Sequence, residues 1–169
     1  MQTIDVNTLV EGGDSAKRWL TKLRLSNLEE GQKCFAAMAR CGMTLDLIAV
    51  LAGQLEKLLA ETIDPALGVQ NLTRFVISSR SPISLGALIE RDEEALQILL
   101  KVFSSSQYLS NLLVRDPESF DLIRLTEGQP VTRQSLMDEL LGEIDFQSSN
   151  RVAMGVFRRF KHRETLRIA

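Results

Sequence analysis

Two cysteines, one histidine, four prolines, one tryptophan and one tyrosine are all that this 169-residue sequence holds of those residues. Structural zinc needs about four Cys or His ligands, and three are present, so a closed Cys/His zinc site is excluded. Base is not in excess: 20 Lys and Arg stand against 22 Asp and Glu, for a net charge of −2. A chain that grips nucleic acid over its whole surface is strongly basic, and no aromatic run offers bases a stacking platform, so nucleic acid is not an expected partner. Long apolar runs are missing too. The longest, Leu47 to Ala52, is far short of the ~20 residues of a membrane span. No basic residue precedes Lys17, so no signal-peptide pattern is visible. Cys34 and Cys41 stand seven apart in a helical pattern, which puts their Cα atoms roughly 10 Å from each other, beyond disulfide reach. They read as reduced, buried small hydrophobes beside Met38. The expected compartment is a reducing cytoplasm, with no membrane association.

What is present is a globular composition, 44% hydrophobic and 25% charged. Its length suits one domain over 1–169, with 1–14 as its tail. The prolines, at 65, 82, 117 and 130, punctuate the pattern without interrupting it. Asp64-Pro65 and Asp116-Pro117 each read as an N-cap followed by Pro at the first helical position. Between these marks apolar residues recur every three or four positions. One set is Leu45, Ile48, Ala52, Leu55 and Leu59; another is Leu96, Leu99, Leu100 and Phe103; a third is Leu136, Leu140, Leu141 and Ile144. This is helical periodicity, with no sustained alternation of strand type. The expected fold is all-α, a compact multi-helix bundle of about eight to ten short helices with no sheet. Residues 87–96 also repeat at 111–120, with Leu88, Arg91, Asp92 and Glu94 matched by Leu112, Arg115, Asp116 and Glu118. The shared content is a helix ending in Arg and a capping Asp that opens the next helix, an architectural repeat.

Catalytic constellations fail one after another. Gly12-Gly13 is an isolated pair with no Lys-Ser/Thr after it, unlike a phosphate loop. His162 has no Ser or Cys nucleophile beside it in sequence. A nucleotidyltransferase needs a Gly-Ser turn and two carboxylates alternating on a strand to hold Mg²⁺. Glu143-Ile144-Asp145-Phe146 imitates the alternation but continues a helical pattern, and Asp92-Glu93-Glu94 reads as a helix start. No catalytic residue, metal ligand or cofactor is expected in the chain itself.

The strongest local signal is electrostatic. Residues 151–169 form a basic helix in which Arg151, Arg158, Arg159, Lys161, Arg163 and Arg167 face only Glu164. Arg159, Arg163 and Arg167 recur every four residues on one face, where like charges repel; the stripe needs an anionic neighbour. That neighbour is either internal, from Asp138, Glu139, Glu143 and Asp145, or external, a phosphate or an acidic partner surface. Ala153, Val156, Phe157, Phe160 and Ile168 make the same helix amphipathic, so Phe157 and Phe160 are both expected to be buried. On the external reading, Arg163→Ala leaves the fold nearly unchanged while Phe160→Ala destabilises it.

Four segments carry a family resemblance: Ser79-Arg80-Ser81-Pro82, Tyr108 to Leu113, Pro117-Glu118-Ser119-Phe120-Asp121-Leu122, and Arg158 to Ala169. Together, from about Ala66 onward, they resemble the N-terminal region of bacterial glutamine synthetase adenylyltransferase, which also removes the adenylyl group. Asp92-Glu93 departs from the Asp-Pro more usual there. The resemblance implies a two-halved nucleotidyltransferase that works with Mg²⁺ and ATP or phosphate on a tyrosine of glutamine synthetase. It further implies direction by a PII-type signalling protein. The family's Gly-Ser and aspartate motif follows the Arg-rich segment, so no catalytic residue is carried onto this chain. The resemblance implies a non-catalytic brace for a catalytic domain that helps present glutamine synthetase. The alternative is a free-standing helical protein–protein interaction module. In either case Arg159, Arg163 and Arg167 are the expected contacts to a partner or a phosphate.

Overall fold

Side-chain caps decide where most of the helices begin. In the computed structural model, which describes residues 6–126, 131–145 and 150–167, the chain forms eleven α-helices and one 3₁₀ turn, with no strand among the described residues. These are α1 (Val6–Glu11), α2 (Asp14–Lys22), α3 (Leu28–Arg40), α4 (Leu45–Leu58), α5 (Pro65–Ser78), α6 (Pro82–Arg91), α7 (Glu93–Ser105), α8 (Gln107–Arg115), α9 (Ser119–Thr126), α10 (Arg133–Asp145) and α11 (Asn150–Arg167). Asp64 Oδ1 accepts from the Leu67 amide at 2.9 Å, with Pro65 at the first helical position, and Ser81 does the same for Ser84 at 3.2 Å ahead of Pro82. Asn27, Thr44, Asp92 and Ser106 cap α3, α4, α7 and α8 in the same way. Each cap satisfies an amide the helix cannot. The expected start at Asp116-Pro117 is displaced: Pro117 and Glu118 form a turn and α9 begins at Ser119. Pro130 lies outside the described residues.

Contacts divide the chain into two units, 1–117 and 118–169, where the sequence suggested one domain. In the first, α5 is the central element and packs on α3, α7 and α8. Its position explains why Val69, Leu72, Phe75 and Val76 are all buried, with Gly68, Asn71 and Thr73 widening the covered face to about half of its circumference. Phe75 meets Phe103 of α7 with ring centres 5.5 Å apart, and Trp19 of α2 meets Phe35 of α3 edge to face at the same distance. The α7 pattern is buried throughout; in the α4 pattern Leu45 is exposed while Ile48, Ala52, Leu55 and Leu59 are buried. Within the expected tail, Val6–Glu11 is helix: α1 packs on α2, α3 and α4, and Leu9 is fully buried. In the second unit α11 contacts α9 and α10. Phe120, Val156 and Leu166 are buried there, whereas Leu141 and Phe157 are not.

Two turns of one design differ in a single residue. After α3, Gly42 (φ 106°) donates to the Ala39 carbonyl and Met43 to that of Met38; after α2, Arg24 (φ 58°) donates to Thr21 and Leu25 to Leu20. Both are Schellman endings, with the buried pairs Met38–Met43 and Leu20–Leu25 closing the turn. The left-handed residue is glycine in one and arginine in the other, and an L side chain is strained there. Arg24→Gly should therefore raise stability, by up to about 1 kcal/mol, and Gly42→Ala, whose new methyl meets nothing within 4 Å, should lower it by about 1 kcal/mol. Urea unfolding of the two variants checks both signs.

Lys22 of α2 pairs with Glu56 of α4. The hydrogen bond from Lys22 is the main force holding the Glu56 carboxyl below its usual range, against a smaller upward push from burial. A depressed carboxylate stabilises the fold above its unfolded value, near 4.3, and that contribution is lost as pH falls through the folded value. Lys22→Met should shrink the loss of melting temperature between pH 5 and pH 3, modestly, because the pair is solvent-screened.

Candidate functional site

The three arginines of the basic helix share a helix face but not an environment. Arg163 points into the second unit, where its side chain is 23% exposed. Its Nη2 lies 2.6 Å from Glu139 Oε1, an ion pair off the line of a good hydrogen bond. Nη1 donates to Glu143 Oε1 at 3.3 Å, and Nε lies 3.4 Å from Glu164 Oε1. The guanidinium also covers the Phe160 ring, 5.0 Å from its centre, a cation–π contact. Arg167, with a side chain only 8% exposed, bonds to Glu164. The stripe thus finds anions inside the unit for Arg163 and Arg167, which share Glu164, while Arg159 is exposed. Phe160 is half-buried under Arg163, but Phe157, expected in the core, is 44% exposed. Val156, Phe160, Arg163 and Arg167 form the inward stripe of α11, and Phe157 falls beyond its edge. Ile168 lies outside the described residues.

Three of the carboxylates that imitated a nucleotidyltransferase motif have structural partners. Glu143 sits on helix α10 and binds Arg163. Asp92 caps α7, and Glu93 lies 3.8 Å from Lys57. Among the described residues no group of three His, Cys, Asp or Glu is placed to hold a metal. Gly12 serves a turn: at φ 94° it lets α1 meet α2, and a Cβ there would stand 2.2 Å from Gln32 Nε2. His162 is half-buried on α11.

A polar cluster between α5, α7 and α8 has no counterpart in the sequence motifs. Asn71 is 1% exposed. Its Nδ2 donates to the Phe103 carbonyl at 3.1 Å and to Gln107 Oε1 at 3.4 Å. Its Oδ1 accepts from Arg74 Nη1 at 2.9 Å and from Gln107 Nε2 at 3.2 Å. Asn111 Oδ1 receives Arg74 Nη2 and Gln107 Nε2. Asn71 is a weak helix former set between the buried Val69 and Leu72, and that was the one local sign of it. The cluster contains no nucleophile and no general base; it fixes how α8 lies on α5.

Cys34 borders a small cleft with Asn27, Glu30 and Gln70 that has about 20 Å³ of water-sized space, room for about one water. Burial, the largest influence, and the Glu30 charge push its thiol up, while a hydrogen bond with Thr73 lowers it. The thiol is protonated and inert at neutral pH. Cys41 is also free, its Sγ 3.1 Å from the Met38 carbonyl. No described helix is long and apolar enough to cross a membrane. Compared with known proteins, the chain matches no protein family, no curated protein and no solved structure.

Proposed function

We propose that the chain is a non-catalytic helical segment of a cytoplasmic glutamine synthetase adenylyltransferase, on its adenylyl-removing side, which braces the nucleotidyltransferase domain and helps present glutamine synthetase. The observation that carries this reading is the set of four segments resembling that family. Their places suit a brace: Ser79 to Pro82 makes the α5–α6 joint, Tyr108 to Leu113 lies in α8, Pro117 to Leu122 opens α9, and Arg158 to Arg167 ends α11. Magnesium, ATP or phosphate, and a PII-type regulator belong to the whole enzyme in this reading, not to residues 1–169.

The test is binding without turnover. The purified chain should bind adenylylated glutamine synthetase in surface plasmon resonance. It should neither release its adenylyl group with phosphate and Mg²⁺ nor bind Mg-ATP more tightly than about millimolar, the level of weak nonspecific association. Loss of the binding signal overturns the assignment; turnover by a preparation free of other adenylyltransferase overturns the non-catalytic part. A second reading, a free-standing interaction module, draws on the outward face of α11.

A further inference from the structure

The side of α11 turned away from its inward stripe carries Met154, Phe157, Arg158 and Lys161. Met154 is 54% and Phe157 44% exposed, and Arg158 and Lys161 are exposed. At 100° per residue these four fall within one quarter to one third of the helix circumference, along about 10 Å of its length. Neither Arg158 nor Lys161 is paired with a carboxylate among the described residues, although Arg163 and Arg167 on the inward side are. An unburied phenylalanine and methionine, flanked by two bases, form a small apolar strip; the neighbouring acid of the helix, Glu164, is mostly covered and already paired with Arg163 and Arg167, so among the described residues of α11 the exposed charge beside the strip is basic.

We propose that this strip docks an acidic amphipathic helix of another protein. Two apolar side chains at i and i+3 offer a helical partner an anchor and a neighbouring contact. The bases beside them select a partner whose apolar face is flanked by Asp or Glu, and the same charges speed its approach. Charge complementarity also separates this partner from a second copy of the chain. Two α11 strips related by a two-fold axis would place four bases in one narrow interface with no acid on the strip to offset them. Two apolar residues are too few to hold a membrane surface. The proposal does not depend on the adenylyltransferase reading, and the partner is defined by its chemistry alone.

A fluorescein-labelled synthetic peptide of about 18 residues, leucine on one helical face and glutamate on the other, tests it by anisotropy with the full chain at about 0.1 M salt. The wild-type chain should bind it, and a scrambled peptide of the same composition should bind at least about tenfold more weakly. Phe157→Ser and the double variant Arg158→Glu/Lys161→Glu should each weaken binding about tenfold or more. Circular dichroism should show unchanged helix content in both, because all three positions face solvent. Equal binding of the scrambled peptide, or variants that bind as the wild type does, overturns the proposal. So does a concentration-dependent dimer, seen by sedimentation, that Phe157→Ser abolishes and the peptide does not compete with. Binding to anionic vesicles that outcompetes the peptide and is lost in the same variants overturns it as well.

Discussion

Asn71→Ala should be strongly damaging for a single polar substitution, costing about 1–3 kcal/mol. The side chain is buried and makes four hydrogen bonds, and truncation leaves the buried Phe103 carbonyl without its side-chain partner, while the exposed Gln107 keeps Asn111. Each buried polar group left unsatisfied costs about 1–3 kcal/mol, and partial hydration of the exposed side, where Arg74 and Asn111 meet, moderates the sum. Asn71→Leu should be no milder, because it adds bulk and restores neither donor nor acceptor. Gln107→Ala should cost less, since Gln107 is exposed and Asn71 keeps Phe103 and Arg74. Denaturant melts read by far-UV circular dichroism give the order directly. An Asn71 variant as stable as the Gln107 variant would mean that the cluster is loose and water-filled.

The second large effect belongs to Arg163. Arg163→Ala should destabilise the 118–169 unit by about 1–2 kcal/mol: the guanidinium is mostly covered, but Glu139 and Glu143 are 45% and 38% exposed, so the pairs are partly screened and much of the cost is the packing lost over Phe160. Glu139 and Glu143 would each lose their contact with Arg163, Glu164 would keep Arg167, and Phe160 would lose its cover. Arg159→Ala, on the same nominal stripe, should change stability by less than about 0.5 kcal/mol. Methyl NMR of Val156 and Leu166 separates the two variants, since both report on that unit's core. The sequence left an internal and an external anionic neighbour open, and only on the external one does Arg163→Ala spare the fold. The geometry instead selects the internal alternative, with Glu139 and Glu143, two of the four acids named from sequence, as partners.

What was legible in the sequence was local. The caps at Asp64 and Asp92 and the proline behind the first act within one turn of chain, so their chemistry can be read off adjacent letters, although Asp116-Pro117, alike in letters, leads into a turn and α9 starts at Ser119. The all-helical class follows equally from short-range periodicity. Misreadings arose where the answer depends on neighbours distant in sequence. Asn71 meets Phe103 and Gln107 across 32 and 36 residues, and no spacing rule connects them. Phe157 and Phe160 look alike in a periodic pattern, but the core of the second unit covers only a narrow face of α11, and one of the two falls outside it. Val6–Glu11 is too short to announce itself as a helix, and its place is secured by the burial of Leu9 among α2, α3 and α4 and not by propensity. The site residues were the least legible, because equal spacing on a helix says which side chains align and not which find carboxylates.

The joints around α7 constrain how this chain can change length. Asp92 ends α6 and caps α7, and Ser106 ends α7 and caps α8, so one residue serves two helices at each joint. There is no spare loop to take up an added residue. An insertion inside α7 would rotate everything beyond it by about 100°, turning Phe103 away from Phe75 and carrying Gln107 and Asn111 off Asn71. Length variation in relatives of this protein should therefore be absent between Pro82 and Arg115 and collect elsewhere, making that stretch a fixed ruler against which homologous chains can be aligned even where few of their residues agree.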